Sequence, residues 1–262
     1  MARFAMTHLF VDIGNTRLKW RHADIDAGYT ARDAQGAMAI DSEVGAGLTR
    51  AWHVLGFTSV WIANVATQDL LEHVLRAVRT CQPQSAITVI VSESRRAGVI
   101  NSYLEPHRLG ADRWAALIGA RALYPQQSVL IVSLGTATTI DLLGAQGQYR
   151  GGVILPGAAM MRRALAEGTA QLPLARGQGA VLAQDTENAI ESGIIHAQAG
   201  AIERVLRQIE GESMDSPLRV LTGGDAEALA PYLPFSTAIV DNLVLRGLLE
   251  IARDAAHSRT LS

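Results

Sequence analysis

The sequence predicts an α/β protein made of two similar halves that face a cleft, and three observations lead there. An apolar run ending in small polar residues, LFVDIGNT (Leu9 to Thr16), returns near mid-chain as LIVSLGTA (Leu130 to Ala137), with Asp12 matched by Ser133 and Gly14 by Gly135. Each copy opens a comparable succession of strand-like runs followed by helical patterns. The length, 262 residues, suits one large domain or two moderate ones.

In the first half, His8 to Ile13 is apolar and β-rich and ends in Gly14-Asn15. With the extended stretch Arg17 to His22 it reads as strand, tight turn, strand. Ser59 to Val65 and Ala86 to Val91 are short, β-branched strand candidates. Between them, Gln68 to Thr80 places Leu71, Val74, Leu75 and Val78 at helical spacing. Gly110 to Tyr124 predicts a helix with Trp114, Leu117, Ile118 and Leu123 on its apolar face, stopped by Pro125.

In the second half, Ser128 to Leu134 is a strand, Thr138 to Leu143 its return partner and Tyr149 to Leu155 a third strand before Pro156-Gly157. Asp185 to Glu210 is one long helical pattern with Gly193 and Gly200 on one face. Glycine costs about 1 kcal/mol against alanine inside a helix, so these two are expected to pack closely against a neighbouring backbone. Arg219 to Thr222 and Thr237 to Val240 are short strands, and Asn242 to Ala256 is a closing amphipathic helix. The polar tail from His257 is expected to be loose. The halves divide as 1–125 and 126–262.

Composition narrows the function classes. The chain is 48% hydrophobic and 18% charged, with a formal net charge of −2. That balance offers no basic surplus for nucleic acid or an anionic membrane. No window approaches the roughly 20 apolar residues of a membrane span, and Met1 to Phe10 hold too short an apolar stretch for a signal peptide. The single cysteine, Cys81, cannot form an intramolecular disulfide, which fits a reducing, cytoplasmic compartment. The seven histidines show neither metal-ligand spacing nor a triad.

The chemistry is concentrated in a few loops. In Asp12, Ile13, Gly14, Asn15, Thr16, Arg17, Leu18 and Lys19, a glycine lets backbone N–H groups approach a phosphate, Asn15 and Thr16 add donors and Lys19 adds positive charge. Asp12 at the strand end offers an oxygen ligand to Mg²⁺. The same residues also serve as a plain hairpin, since Gly-Asn is a good two-residue turn. The spacing is not that of a P-loop. Gly135-Thr136-Ala137-Thr138-Thr139 is a second phosphate-loop candidate with three hydroxyls, although threonine also populates strands well. Leu221-Thr222-Gly223-Gly224-Asp225 is a third turn, where a flat ligand such as adenine could lie against bare backbone, although the same residues also read as a strand ending in a glycine turn before a helix. At Leu109-Gly110-Ala111-Asp112-Arg113 a carboxylate and a guanidinium arrive together at a helix start. Asp112 there is suited to accept a proton from an alcohol, and equally to stabilise the first helical turn.

Taken together, DIGNTRLK at 12–19, YLEPHRLGADRWAAL at 103–117, GTATTID at 135–141, GGVILPG at 151–157, DTENAIESG at 185–193 and TGGDA at 222–226 resemble type III pantothenate kinases. The resemblance spans nearly the whole chain, and the GADR element with its upstream tyrosine is its most specific part. It implies duplicated ribonuclease-H-like, actin-like ATPase domains facing a nucleotide cleft, and transfer of phosphate from ATP to pantothenate, the entry step to coenzyme A. It further implies that Asp12 to Lys19 and Thr136 contact ATP, with Asp12 near Mg²⁺ and Gly223 and Gly224 on the adenosine side. Tyr103, Gly110, Ala111, Asp112 and Arg113 would hold pantothenate, Asp112 as proton acceptor, and Thr186 would meet it, in some members across a homodimer interface. Many members carry an aspartate for a monovalent cation (K⁺ or NH₄⁺) where this chain has Ser133, so a weaker dependence on that cation is expected. The family also includes accessory factors for gene transcription. A regulator of the same fold is therefore the rival reading, although Asp12, Lys19, Asp112, Arg113 and Thr136 are all present.

Overall fold

The computed structural model describes residues 7–30, 33–212 and 216–260. It separates into two units, one formed by the chain up to Leu123 together with the stretch from Leu243, the other by Tyr124–Asn242.

In the first unit, β1 (Thr7–Ile13), β2 (Arg17–Asp24) and β3 (Gln35–Ala39) form an antiparallel meander. Helix α1 (Val44–Trp52) leads to β4 (Ser59–Asn64), parallel to β1, and α2 (Gln68–Cys81) leads to β5 (Ala86–Val89), parallel to β4. The sheet order is β3-β2-β1-β4-β5. A small hairpin, β6 (Arg95–Arg96) and β7 (Val99–Ile100), precedes α3 (Ala111–Leu123). Strand alternation sorts the side chains onto two faces. Leu9, Val11, Ile13, Leu18 and Trp20 pack with Val44, Leu48 and Trp52 of α1 and with Leu71, Val74 and Val78 of α2. Phe10 and Asp12 have the opposite parity and point to the other face, where α3 lies against β4.

The second unit repeats the plan. Strands β8 (Val129–Leu134), β9 (Ala137–Leu143) and β10 (Tyr149–Pro156) form the meander, and α4 (Ala158–Gly168) and α5 (Thr186–Glu212) follow. Next come β11 (Leu218–Thr222), the short α6 (Ala226–Leu229) and β12 (Ala238–Ile239). Its order, β10-β9-β8-β11-β12, matches the first sheet strand for strand, with the last two strands again parallel. Two sheets of one topology give the two similar halves expected from the internal echo, in the duplicated ribonuclease-H-like architecture that the resemblance implies. The core of this unit joins Leu130, Val132, Leu134 and Leu221 to Ala199, Ile202 and Leu206 of α5.

Three expectations are corrected. The closing helix, α7 (Leu243–Thr260), belongs to the first unit, so the second half ends near Asn242. Glycines at the crossing of α3 and α7 explain why: a Cβ on Gly247 would stand 1.8 Å from the Ala115 carbonyl oxygen, and one on Gly119 would stand 2.5 Å from that of Leu243. The residues from His257 to Thr260 continue this helix rather than forming a loose tail, and the last two residues lie outside the described ones. Gly193 and Gly200 are exposed, and among the described residues a Cβ on either would meet nothing within 4 Å, so no neighbouring backbone there explains them. The expectation about a leader segment falls largely on residues 1–6, outside the described ones. No helix among the described residues is long and apolar enough to cross a membrane.

Candidate active site

One set of predicted residues gathers at an edge of the first unit. β1 and β4 run side by side and parallel, Asp12 level with Ala63 and Ile13 with Asn64. The first loop therefore leaves from the carboxyl edge of the strands, where open α/β sheets place ligands. It is a tight hairpin in which the Gly14 N–H donates to the Arg17 carbonyl at 3.1 Å, with Asn15, Thr16 and Arg17 exposed. Gly14 eases a close approach, since a Cβ would stand 3.0 Å from that same carbonyl oxygen. Ile13 and Leu18 are fully buried and fix the stem with their side chains, leaving only their backbone to a ligand. The ladder sets Lys19 opposite Asp12.

Asp12 lies on the α3 face of the sheet, and the start of α3 brings Asp112 within electrostatic reach. Part of Asp12 remains accessible, yet its carboxyl is surrounded by enough protein to raise its pKa to about 7. Burial is the largest cause, the Asp112 charge adds to it and Lys19 opposes it. Asp12, at the strand end, offers carboxylate oxygens of the kind a hard divalent cation prefers. Among the described residues no group of three or more His, Cys, Asp or Glu side chains is arranged to hold a metal, so a cation here would take its remaining ligands from phosphate and water.

Gly110 precedes the first residue of α3, and its carbonyl accepts from the Trp114 N–H at 2.9 Å. The Asp112 carboxylate folds back to accept from the Arg113 N–H at 2.7 Å, and a Cβ on Gly110 would come within 2.7 Å of Oδ1. Gly110 thus leaves room for the carboxylate beside the nearly buried Ala111. Arg113 is only 7% exposed, and its guanidinium donates to the Tyr103 hydroxyl at 3.0 Å while standing 5.9 Å from that ring's centroid. The fold thus joins Tyr103, Gly110, Asp112 and Arg113 into one constellation beside Asp12.

A second set lies in the second unit, again at the carboxyl ends of strands. Gly135 and Thr136 turn β8 into β9, the Gly135 N–H donating to the Ala137 carbonyl at 3.2 Å. Gly223 follows β11 in the left-handed region at φ +100°, and a Cβ there would stand 2.1 Å from the Leu134 carbonyl oxygen. No other residue type fits that position. The third turn is therefore seated against the second loop, with Gly224 beside it. Thr138 and Thr139 lie inside β9 and are buried, so of the three hydroxyls foreseen for the loop only that of Thr136 sits on it. Ser133 is level with Thr222 on β11 and opposite Thr139 on β9. Thr186 is the exposed first residue of α5, where the Asp185 carboxylate accepts from the Asn188 N–H at 2.9 Å. It lines an apolar groove with Ala189 and Gly193 of α5 and Met161 and Leu165 of α4.

Sequence reasoning missed three features of this unit. Gly157 walls the second loop from the other side: its N–H donates to the Thr136 carbonyl at 3.0 Å, and a Cβ would stand 2.0 Å from the Gly135 oxygen. Its signals in the sequence were the Pro-Gly that ends β10 and the GGVILPG motif that contains it. Arg162 of α4 makes a two-bond ion pair with Glu191 of α5, at 2.7 and 2.5 Å. That pair lines a cavity of about 380 Å³ with Asp225, whose carboxyl is held above the ordinary range first by burial, against the pull of Arg162. Nothing in the spacing of residues 162, 191 and 225 foretold that meeting.

Comparison with known proteins decides the family. A model of the family described as type III pantothenate kinase matches residues 8–208. The chain belongs to the type III pantothenate kinase family. A relative of that name from Aromatoleum aromaticum is 45% identical over 249 residues, 95% of this chain and 98% of the relative. Another, from Herminiimonas arsenicoxydans, is 40% identical over 250 residues, 93% and 96% of the two chains. Among solved structures, a Campylobacter jejuni protein assigned to the Baf family of transcriptional activators superposes with a TM-score of 0.59 at 21% identity, covering 95% of this chain and 99% of that one. This likeness speaks for a shared fold alone. The type III pantothenate kinase match includes both phosphate-loop candidates, the Tyr103 to Arg113 segment and Thr186.

Proposed function

We propose that this protein transfers the γ-phosphoryl group of ATP to the 4′-hydroxyl of pantothenate, giving ADP and 4′-phosphopantothenate at the entry to coenzyme A synthesis. The observation that carries the reading is the carboxylate pair of the first unit: Asp112 at the start of α3 within electrostatic reach of Asp12 at the end of β1. The family match over residues 8–208 supports it.

In this reading the backbone of 12–19, with Asn15, Thr16, Arg17 and Lys19, holds the phosphates, Thr136 adds a contact, and Gly223 and Gly224 take the adenosine side. Asp12 is the residue suited to hold Mg²⁺, which when bound supplies positive charge to the phosphate oxygens. Arg113 and Tyr103, already joined by a hydrogen bond, fix the pantothenate carboxylate and orient its hydroxyl end toward Asp112. Asp112 aligns that hydroxyl and takes its proton as the phosphoryl group is transferred. Because phosphoryl transfer passes through a loose transition state, positioning and charge do most of the work.

Further parts of the proposal are a cytoplasmic homodimer, in which Thr186 meets the pantothenate of the partner, and a weak need for K⁺ or NH₄⁺ because Ser133 offers no carboxylate. The regulatory alternative is not favoured, since a protein without catalysis has no need for the paired carboxylates. The test is ADP release by the purified protein with Mg-ATP, with and without pantothenate. Pantothenate-dependent turnover should fall at least tenfold in Asp112→Asn, about 1.4 kcal/mol in barrier. A folded, ATP-binding protein without pantothenate-dependent turnover would reverse the reading.

A further inference from the structure

The segment that carries Tyr103 has almost no regular structure of its own. Between β7, which ends at Ile100, and α3, which starts at Ala111, it holds a single 3₁₀ turn at Pro106–Arg108. Such a stretch positions a side chain well only if something ties it down. The tie is Asn101, which is 7% exposed.

The backbone N–H and both side-chain polar atoms of Asn101 bond to this segment or to what anchors it. Its backbone N–H donates to the Ser94 carbonyl at 2.9 Å, at the base of the β6–β7 hairpin. Its side-chain amide nitrogen donates to Ser92 Oγ at 2.9 Å and to the Pro106 carbonyl at 3.0 Å. Its side-chain oxygen accepts from the Tyr103 N–H at 3.1 Å. Ser92 is itself 4% exposed, so the anchor is embedded in the unit. One side chain thus bridges a buried serine, the backbone of Tyr103 and the turn that follows it, and Tyr103 in turn receives the Arg113 guanidinium on its hydroxyl at 3.0 Å. Asparagine suits this place because only a neutral amide offers two donors and an acceptor together. Aspartate would keep the acceptor and lose both donors, while leucine would strand the Tyr103 N–H and the Pro106 carbonyl.

We infer that Asn101 is a positioning residue for pantothenate: it sets where Tyr103 stands, and through Tyr103 the orientation of Arg113, without touching substrate. The inference rests on the kinase reading for its substrate, and on geometry alone for the tie. Asn101→Ala should raise the KM for pantothenate about tenfold or more while leaving the KM for ATP within twofold, because the tie serves only the Tyr103 segment. In a Tyr103→Phe background, where the hydroxyl that meets Arg113 is already gone, Asn101→Ala should change the pantothenate KM less than threefold. Asn101→Asp, which retains the acceptor for the Tyr103 N–H, should recover part of the loss. Amide hydrogen exchange, which needs no turnover, should show faster exchange in peptides covering 101–109 of Asn101→Ala and little change over β1 and β4.

Equal effects on both KM values, full additivity with Tyr103→Phe, or unchanged exchange over 101–109 would each overturn the inference. Should Asn101→Ala not fold, Asn101→Asp alone decides: an unchanged pantothenate KM together with unchanged exchange at 104–109 overturns it, since both donor bonds are lost in that variant. Absence of turnover in the unaltered protein would overturn the kinase reading instead, and the exchange result would still judge the tie.

Discussion

A carboxylate near the end of a buried strand is tolerated only when it serves something, and Asp12 makes that cost measurable. Its pKa stands at about 7, against 3.8 for an unperturbed side chain. The folded value is the higher one, so ionised Asp12 opposes folding. That penalty is absent below about pH 4, grows as pH rises from about 4 to about 7, and is constant above. Asp12→Asn should therefore stabilise the protein by about 1–3 kcal/mol at pH 8 and by nothing measurable at pH 4, read from denaturant midpoints at the two pH values. Turnover should be lost at both. A gain of equal size at pH 4 would show that the burial of charge is not what strains the site. Ser133 carries the second expectation at this scale. Its hydroxyl attracts a monovalent cation far less than a carboxylate would, so replacing K⁺ by tetramethylammonium should change the rate less than threefold. Ser133→Asp should make the rate depend on K⁺, and a large K⁺ requirement in the unaltered protein would refute this.

Elements show how much was legible in the sequence. The strands of both meander openings and helices α2, α3, α5 and α7 were readable because their periodicity is unbroken, and each phosphate-loop candidate does sit at a strand's carboxyl edge. Helix α1 is hard to read from sequence although Val44, Leu48 and Trp52 recur at helical spacing, because Gly45 and Gly47 weaken the pattern. β3 and α4 left too little signal: β3 is half exposed, and α4 buries no residue fully. Glycines give the sharpest contrast. Spacing pointed to Gly193 and Gly200, whereas the packing falls on Gly119 and Gly247, which lie in helices more than a hundred residues apart. Only the three-dimensional crossing reveals that pair. Gly247→Ala should lower stability by about 1–3 kcal/mol, the usual cost of overpacking, because the new methyl would meet backbone that cannot rotate away. Thermal melting should show the drop, with the KM for ATP unchanged in the folded fraction; a melting temperature within 1 °C of the unaltered protein would contradict the crossing.

At the scale of the whole molecule, the question left by the exposed glycines concerns a second copy of the chain. A helix of 27 residues, Thr186–Glu212, presents Gly193 and Gly200 to solvent, and among the described residues nothing outside the helix stands near where a Cβ on either would be. Beside Gly193 runs the apolar groove lined by Thr186, Ala189, Met161 and Leu165. Each exposed glycine lowers helix stability by about 1 kcal/mol relative to alanine, which makes sense if another helix approaches there closely. The homodimer we propose would place that helix on the same face as Thr186, linking assembly to the pantothenate site. The chain should then sediment at twice its 28.0 kDa mass. Gly193→Glu, which puts a long charged side chain where the helices approach, should return it to the monomer mass. If Thr186 reaches the partner's substrate, the same variant should raise the KM for pantothenate at least tenfold, and raising the protein concentration should restore part of the loss by mass action. A Gly193→Glu protein that remains dimeric would move the interface off this face of α5. A monomer with an unchanged KM would mean that each copy binds pantothenate unaided.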